Sequence, residues 1–289
     1  MISYQEFIKI LNKHVILQQK VDLLETLAEN PERFIGLFRP TKPLGKILQH
    51  ILQANEIKFG DAIEEILELI IKRLDYVILE KSIRAKDKKM TLKFDQCFKK
   101  NSLFYLIEQK LRDDHDSSKK RGQIENFEQK IDYLYKVYGK NLIAIFYFID
   151  PELAKNKNYY ESEINKLKEF YGINIYLFYG KELFSFLGIP EFWDKMLKWL
   201  KNWKDSLPEL PEVNFDKNPE ESFEEIKELE LRYWRKILDN EKLWTEGIIK
   251  VIFPTGKTLK LLSKSFSELN LPAYKKIAGM LKDKLEKYF

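Results

Sequence analysis

The run "KKMTLKFDQCFKKNSLFYLIEQKLR", residues 88–112, decides the fold. Upstream of it, apolar residues recur every three or four positions, the helical period. Within it the period shortens to two, the period of a half-buried strand. The segment reads as a hairpin: a strand from Thr91 to Cys97, a turn near Lys99 to Asn101, and a longer strand from Ser102 to Arg112. Glu108 and Lys110 interrupt the apolar second strand. Residues two apart on a strand share a face, so these two side chains project together and Gln109 points the other way. Asp95 lies near the end of the first strand, and pairing of the hairpin brings it beside Glu108.

Working outward, the segments on either side supply the layers for that hairpin. Residues 1–56 are helical in pattern, interrupted by the Pro/Gly-punctuated "PERFIGLFRPTKPLG". "FGDAIEEILELIIKRLDYVILEK" predicts a long helix with Ile63, Ile66, Leu67, Ile70 and Ile71 on its apolar face and Asp61 as its N-cap. After the hairpin, "QIENFEQKIDYLYKVYG" predicts a helix closed by Gly139, and "NLIAIFYFID" a strand buried on both faces. A second helix ("YYESEINKLKEFYG") and a second strand ("INIYLFYG") follow. This order implies an α/β fold whose mixed central sheet is flanked by helices. Three regions result: a helical N-terminal region (1–56), a core (57–190) and a C-terminal region (191–289). In the last, "EGIIKVIFPTGKTLKLL" is expected to form a strand and a turn among helices.

Composition narrows the class. The 289 residues are 44% hydrophobic and 14% aromatic, enough for a sizeable core, and the formal net charge is only +5. The single cysteine, Cys97, rules out an intramolecular disulfide and a cysteine-based zinc cluster. No signal peptide or membrane-length apolar stretch is read, so a cytoplasmic location is expected.

Two carboxylates, a backbone carbonyl and waters form an oxygen-only shell of the kind Mg²⁺ prefers. A nearby lysine can orient a water and balance negative charge as a phosphodiester is attacked. Asp95 followed by Glu108-Gln109-Lys110 resembles the D…(D/E)XK signature of the PD-(D/E)XK nuclease superfamily, and the order of helices and strands around it matches that superfamily's core. Phe94 stands where the signature has proline. "EQKLRDDHDSSKKRGQ", with "RFIGLFRPTKP", "IKFGDAIEEIL" and "YLFYGKELFSFLGIPEFW", resembles type II restriction endonucleases within the superfamily.

The resemblance implies a restriction-endonuclease-like core that cuts double-stranded DNA with Mg²⁺ and leaves 5′-phosphate ends. Asp95 and Glu108 would hold the metal and Lys110 would assist the water. A glutamate of the preceding helix, Glu64 or else Asp61, Glu65 or Glu68, would join the site. It further implies a homodimer, a cognate DNA methyltransferase as genetic partner, and a C-terminal region engaged in DNA recognition or dimerisation. A repair or junction nuclease of the same fold and a non-catalytic DNA-binding protein are the alternatives.

The charged run after the hairpin reads either as a solvated surface loop or as a loop over DNA, with Arg112, Lys119, Lys120, Arg121 and Gln123 as contacts to phosphates in the second case. His115 within it is expected to be a surface residue or DNA contact rather than a general base. "FPTGKT" (253–258) lacks the first glycine of a phosphate-binding loop and reads as a tight turn between strands. The tryptophans at 193, 199, 203 and 234 are expected in core or dimer contacts.

Overall fold

A computed structural model of the chain describes residues 1–17, 19–38, 40–84, 91–114 and 116–289. His115 and the first three residues of the opening stretch, 88–90, lie outside the described residues. Two compact units emerge: residues 1–14 with 59–207, and residues 15–58 with 208–289.

The first unit begins with α1 (Tyr4–Val15), whose last residue belongs to the second unit, as does α2 (Gln19–Glu29). α3 (Pro43–Arg73) is one helix of 31 residues, giving residues 43–58 to the second unit and 59–73 to the first. The expected break at Gly60-Asp61 does not occur, so Asp61 is no N-cap, and a boundary at 56/57 falls inside a helix. A mid-helix glycine costs about 1 kcal/mol. Burial of Ala62, Ile63, Ile66 and Leu67 immediately after it outweighs that cost.

The strands follow: β1 (Val77–Ile78), β2 (Ser82–Arg84), β3 (Thr91–Lys93), β4 (Gln96–Lys100) and β5 (Leu103–Lys110). The first strand of the expected hairpin is therefore split. β3 pairs with β2 in a small separate sheet, and the hairpin proper is β4–β5, turning at Asn101, whose φ is +54°. The chain continues through α4 (Ser117–Tyr138), β6 (Leu142–Phe148), α5 (Lys157–Tyr171), β7 (Asn174–Tyr179), α6 (Lys181–Phe186) and α7 (Pro190–Asp205). The main sheet has order β1-β4-β5-β6-β7; the first three strands are antiparallel and the last three parallel. It is the mixed sheet that the sequence predicts.

All seven residues of β6 are buried, as befits a central strand covered on both faces. On one face α4 and α5 bring Ile124, Phe127, Ile131, Tyr160 and Ile164 against Leu106, Ala144, Phe146 and Phe148. On the other, Ile63, Ile66 and Ile70 of α3 meet Tyr147 with Phe184 of α6 and Met196 of α7. Trp193 and Trp203 of α7 are buried, so this helix belongs with the core rather than with the C-terminal region.

The second unit is helical among the described residues. Besides α2 and the start of α3 it holds α8 (Pro219–Ile226), α9 (Leu231–Asp239), α10 (Glu241–Thr245), α11 (Ile248–Ile252), α12 (Lys257–Glu268) and α13 (Pro272–Tyr288). The strand expected in "EGIIKVIFPTGKTLKLL" is instead α11, a turn and α12. Alternation of apolar and polar residues is brief there, and Ile248, Ile249, Ile252, Leu259 and Leu262 all bury among helices. Trp234 and Trp244 complete that core. No helix among the described residues is long and apolar enough to cross a membrane.

Candidate active site

β4 begins one residue after Asp95, which sits at the bend where the chain passes from the small sheet to the large one. Its pairing with β5 runs out at Gln96 opposite Ile107. The next inward-facing N–H of β5, that of Gln109, therefore has no strand partner on this side and donates to Asp95 Oδ2 at 2.7 Å. The expected neighbourhood of Asp95 and Glu108 thus forms through a side chain that replaces a missing ladder bond.

Lys110 joins them. Its ammonium lies 2.7 Å from Glu108 Oε1, 3.0 Å from the Gln109 carbonyl oxygen and 3.5 Å from Asp95 Oδ2. Burial alone would make this ammonium easier to deprotonate. The charges of Glu108 and Asp95 outweigh burial and raise its pKa above the ordinary lysine value.

A second lysine completes the arrangement, and the sequence reading missed it. Lys130 of α4 donates to the other oxygen of Glu108, at 2.5 Å. Both residues are deeply buried, with side chains 6% and 4% exposed. The signal was present: Lys130 stands beside Ile131 and three residues after Phe127, on the apolar face of α4. A lysine on a buried stripe calls for a buried anion, and the strand that α4 covers supplies one.

These groups open onto a cleft of about 680 Å³, whose other walls include Lys93, Lys119, Gln123 and Asn126. The remaining predicted contacts divide. Lys119 and Gln123 line the cleft, although the Gln123 amide oxygen also accepts from the Tyr160 hydroxyl at 2.7 Å. Lys120 is drawn to Asn156 Oδ1 and sits over the Tyr159 ring. Arg112 lies 3.8 Å from Asp114, and Arg121 donates to the Ser117 carbonyl within α4. Residues 117–121 are the first turn of α4, capped by Asp116, rather than a loop. Asp113 in the same acidic run is fully buried, fixed by the Asn156 N–H and side-chain amide and by the Tyr179 hydroxyl.

Glu64 is paired outside this set, though the Asp95 charge acts on it. Its carboxylate accepts from Lys81 at 2.7 Å, and burial, only partly offset by that lysine, raises its pKa. Glu68 also pairs with Lys81, and Glu65 with Lys13 and His14. Among the described residues no group of three His, Cys, Asp or Glu side chains converges as a metal site. The donor set is instead two carboxylates and one carbonyl. The three oxygens already converge on one positive charge, the Lys110 ammonium, and all are hard donors of the type Mg²⁺ takes alongside waters. The residues fit such an ion.

The comparisons with known proteins agree with the sequence reading. The family model "Type II restriction endonuclease, HinfI" matches residues 3–86 and 76–204. No curated protein matches. Among solved structures, Can2 from Sulfobacillus thermosulfidooxidans, in complex with cyclic tetra-adenylate, is similar at 16% identity and a TM-score of 0.32. That match covers 68% of this chain and 54% of Can2, so the chain spans about half the length of that relative. The family match runs across most of the first unit, including the split hairpin and both flanking helices. The chain belongs to the HinfI family of type II restriction endonucleases.

Proposed function

We propose that the chain hydrolyses phosphodiester bonds of duplex DNA at a specific sequence, with Mg²⁺ bound by Asp95, Glu108 and the Gln109 carbonyl, leaving 5′-phosphate ends. The observation that carries this reading is the convergence of those three oxygens on the Lys110 ammonium at the wall of an open cleft. Bound Mg²⁺ supplies Lewis acidity toward the scissile phosphate and makes water a better nucleophile.

The protein's own groups do the rest. The Gln109 N–H fixes the Asp95 carboxylate at the wall of the cleft. Lys130 holds Glu108 in place from behind, which leaves the Oε1 side for the reaction. Lys110 orients the attacking water and balances the charge that builds on the phosphorus oxygens. Lys119 and Gln123 contact the neighbouring phosphates from the first turns of α4. Glu64 lies outside the inner set, paired with Lys81. A homodimer, in which two such sites cut two strands, and a partner methyltransferase belong to the same reading.

The test is digestion of a large DNA of known sequence with and without Mg²⁺. Discrete, reproducible fragments with 5′-phosphate ends are expected, and none in EDTA. A smear would favour a repair or junction nuclease of the same fold. Lys110→Ala is expected to bind DNA yet cut about 10²–10³-fold more slowly, the usual effect of removing one transition-state donor. Undiminished cutting by that variant would refute the assigned role.

A further inference from the structure

The second unit carries a charge distribution that the site above does not use. Residues 257–289 contain eight lysines and three carboxylates, an excess of five positive charges. That equals the formal net charge of the entire chain, so residues 1–256 are balanced. The lysines are not evenly committed. Lys284 and Lys287 are drawn, with the Tyr288 hydroxyl, onto Glu241. Lys260, Lys264 and Lys275 have no carboxylate partner among the described residues, and Lys282 has only Glu286 at 3.9 Å.

These four lysines, of which Lys275 also donates to Asn270 Oδ1 at 3.3 Å, line one groove of about 710 Å³ between α12 and α13. Lys260 and Lys264 stand one turn apart along α12, about 6 Å, and Lys275 and Lys282 two turns apart along α13, about 10 Å. Between the rows the lining is Ser263, Ser267, Ala278 and Gly279, and Leu285 and the Glu286 carboxylate also stand on the wall. The Ser263 hydroxyl donates to the Ala278 carbonyl at 3.0 Å, and a Cβ added to Gly279 would meet no atom within 4 Å. The groove has no aromatic side chain in its lining. A protein partner would be expected to find such an anchor; a polyanion needs only ammonium groups, hydroxyls and room.

We propose that this groove is a second, sequence-independent contact for the phosphate backbone of duplex DNA, held by Lys260, Lys264, Lys275 and Lys282. It rests on the reading of the chain as a DNA-cutting enzyme. Lysines are flexible point charges without the planar fork that reads base edges, so the groove adds affinity and leaves specificity to other residues. Seating a phosphate run there releases the counterions condensed on it, and the signature of that release is salt dependence.

The experiment uses the full chain in EDTA, where DNA is bound but not cut, and follows binding to duplexes with and without the cleavage site across a salt series. Lys260→Gln/Lys264→Gln/Lys275→Gln is compared with wild type and with the off-groove Lys257→Gln/Lys276→Gln/Lys287→Gln, which removes the same charge. Each lost phosphate contact flattens the log–log slope by about 0.9, so the groove variant is expected to lose roughly 3 from it. The off-groove variant should lose clearly less. Affinity should fall by the same factor on both duplexes, and Mg²⁺-dependent cutting at saturating protein should persist. Lys264→Glu alone should shift affinity in the same direction, which guards against a folding defect in the triple variant. Equal slopes for the two triple variants, or a loss seen only with RNA or with acidic peptides, would overturn the proposal while leaving the nuclease reading intact. A wild-type protein that neither binds nor cuts duplex DNA would overturn both.

Discussion

Each unit of this chain buries a carboxylate at a decisive point, and the two are held in opposite ways. In the helical unit, Asp216 takes the Thr255 N–H and hydroxyl at 2.8 and 2.9 Å and the Thr258 N–H at 2.8 Å. Two of these three donors are backbone groups in the turn that starts α12, so they have nowhere else to go. In the sheet unit, Glu108 is held by the ammonium groups of Lys110 and Lys130, both on flexible stems. A carboxylate fixed by backbone donors is a structural pin. A carboxylate fixed by side-chain cations can exchange one cation for another, which the proposed Mg²⁺-dependent hydrolysis requires. The difference also explains the "FPTGKT" segment. It has the helix N-terminus of an anion site and a glycine at φ +67°, but the anion is already supplied from within by Asp216.

The comparison is sharpest at Lys130. Breaking a buried ion pair by removing one partner typically costs about 3–5 kcal/mol, because the other charge remains buried. Lys130→Met should lower unfolding stability by that amount in a urea titration, and Glu108→Gln/Lys130→Met should recover most of it. A single variant as stable as wild type would mean that water or another group satisfies Glu108, and the proposed support from behind would fail.

Asp216→Ala is expected to have a smaller effect, about 2 kcal/mol, the value of hydrogen bonds to a charged acceptor at a helix start. Burial would raise the Asp216 pKa, but the bonds from Thr258 and Thr255 outweigh it and hold the carboxyl below its ordinary value. Its contribution is therefore fully present above the ordinary carboxylate range and is lost as pH falls through the depressed folded value. Wild type and variant should converge in stability at strongly acidic pH. A gap that stays constant down to that pH would show that Asp216 acts through packing alone.

The least effect is expected at Cys97, in β4 close to the site. Burial pushes its thiol up to about 11, so it should resist iodoacetamide at neutral pH in the native protein and react once the chain is unfolded. Rapid native labelling would mean that the sheet behind the cleft opens to water more readily than its packing implies.

Much of the first unit was legible in the chain itself. Strands β5, β6 and β7 and helices α4 and α5 are long or strongly periodic, and their order alone implies a mixed sheet between helices. Glu108 and Lys110 were legible for the same reason: a two-residue spacing within an apolar strand leaves their common face no choice. The misses share a cause. The break between β3 and β4, the continuous α3 and the helices at 248–268 lie where local preference is weak or contrary and long-range packing prevails. Val77 and Ile78 add a fifth strand that two residues of sequence do not announce.

The sequence by itself determined which residues could meet, because strand and helix periods are local properties of the backbone. Only the tertiary structure decided which of them do. Lys130 reaches Glu108 because α4 crosses β5 at that point. Glu64 goes to Lys81, seventeen residues on, at 2.7 Å. The ammonium of Lys110 stands among three oxygens because β4 begins only after Asp95, at Gln96. Each of these depends on distances between segments far apart in the chain, and electrostatic energy falls with distance too steeply for composition or spacing to stand in for it.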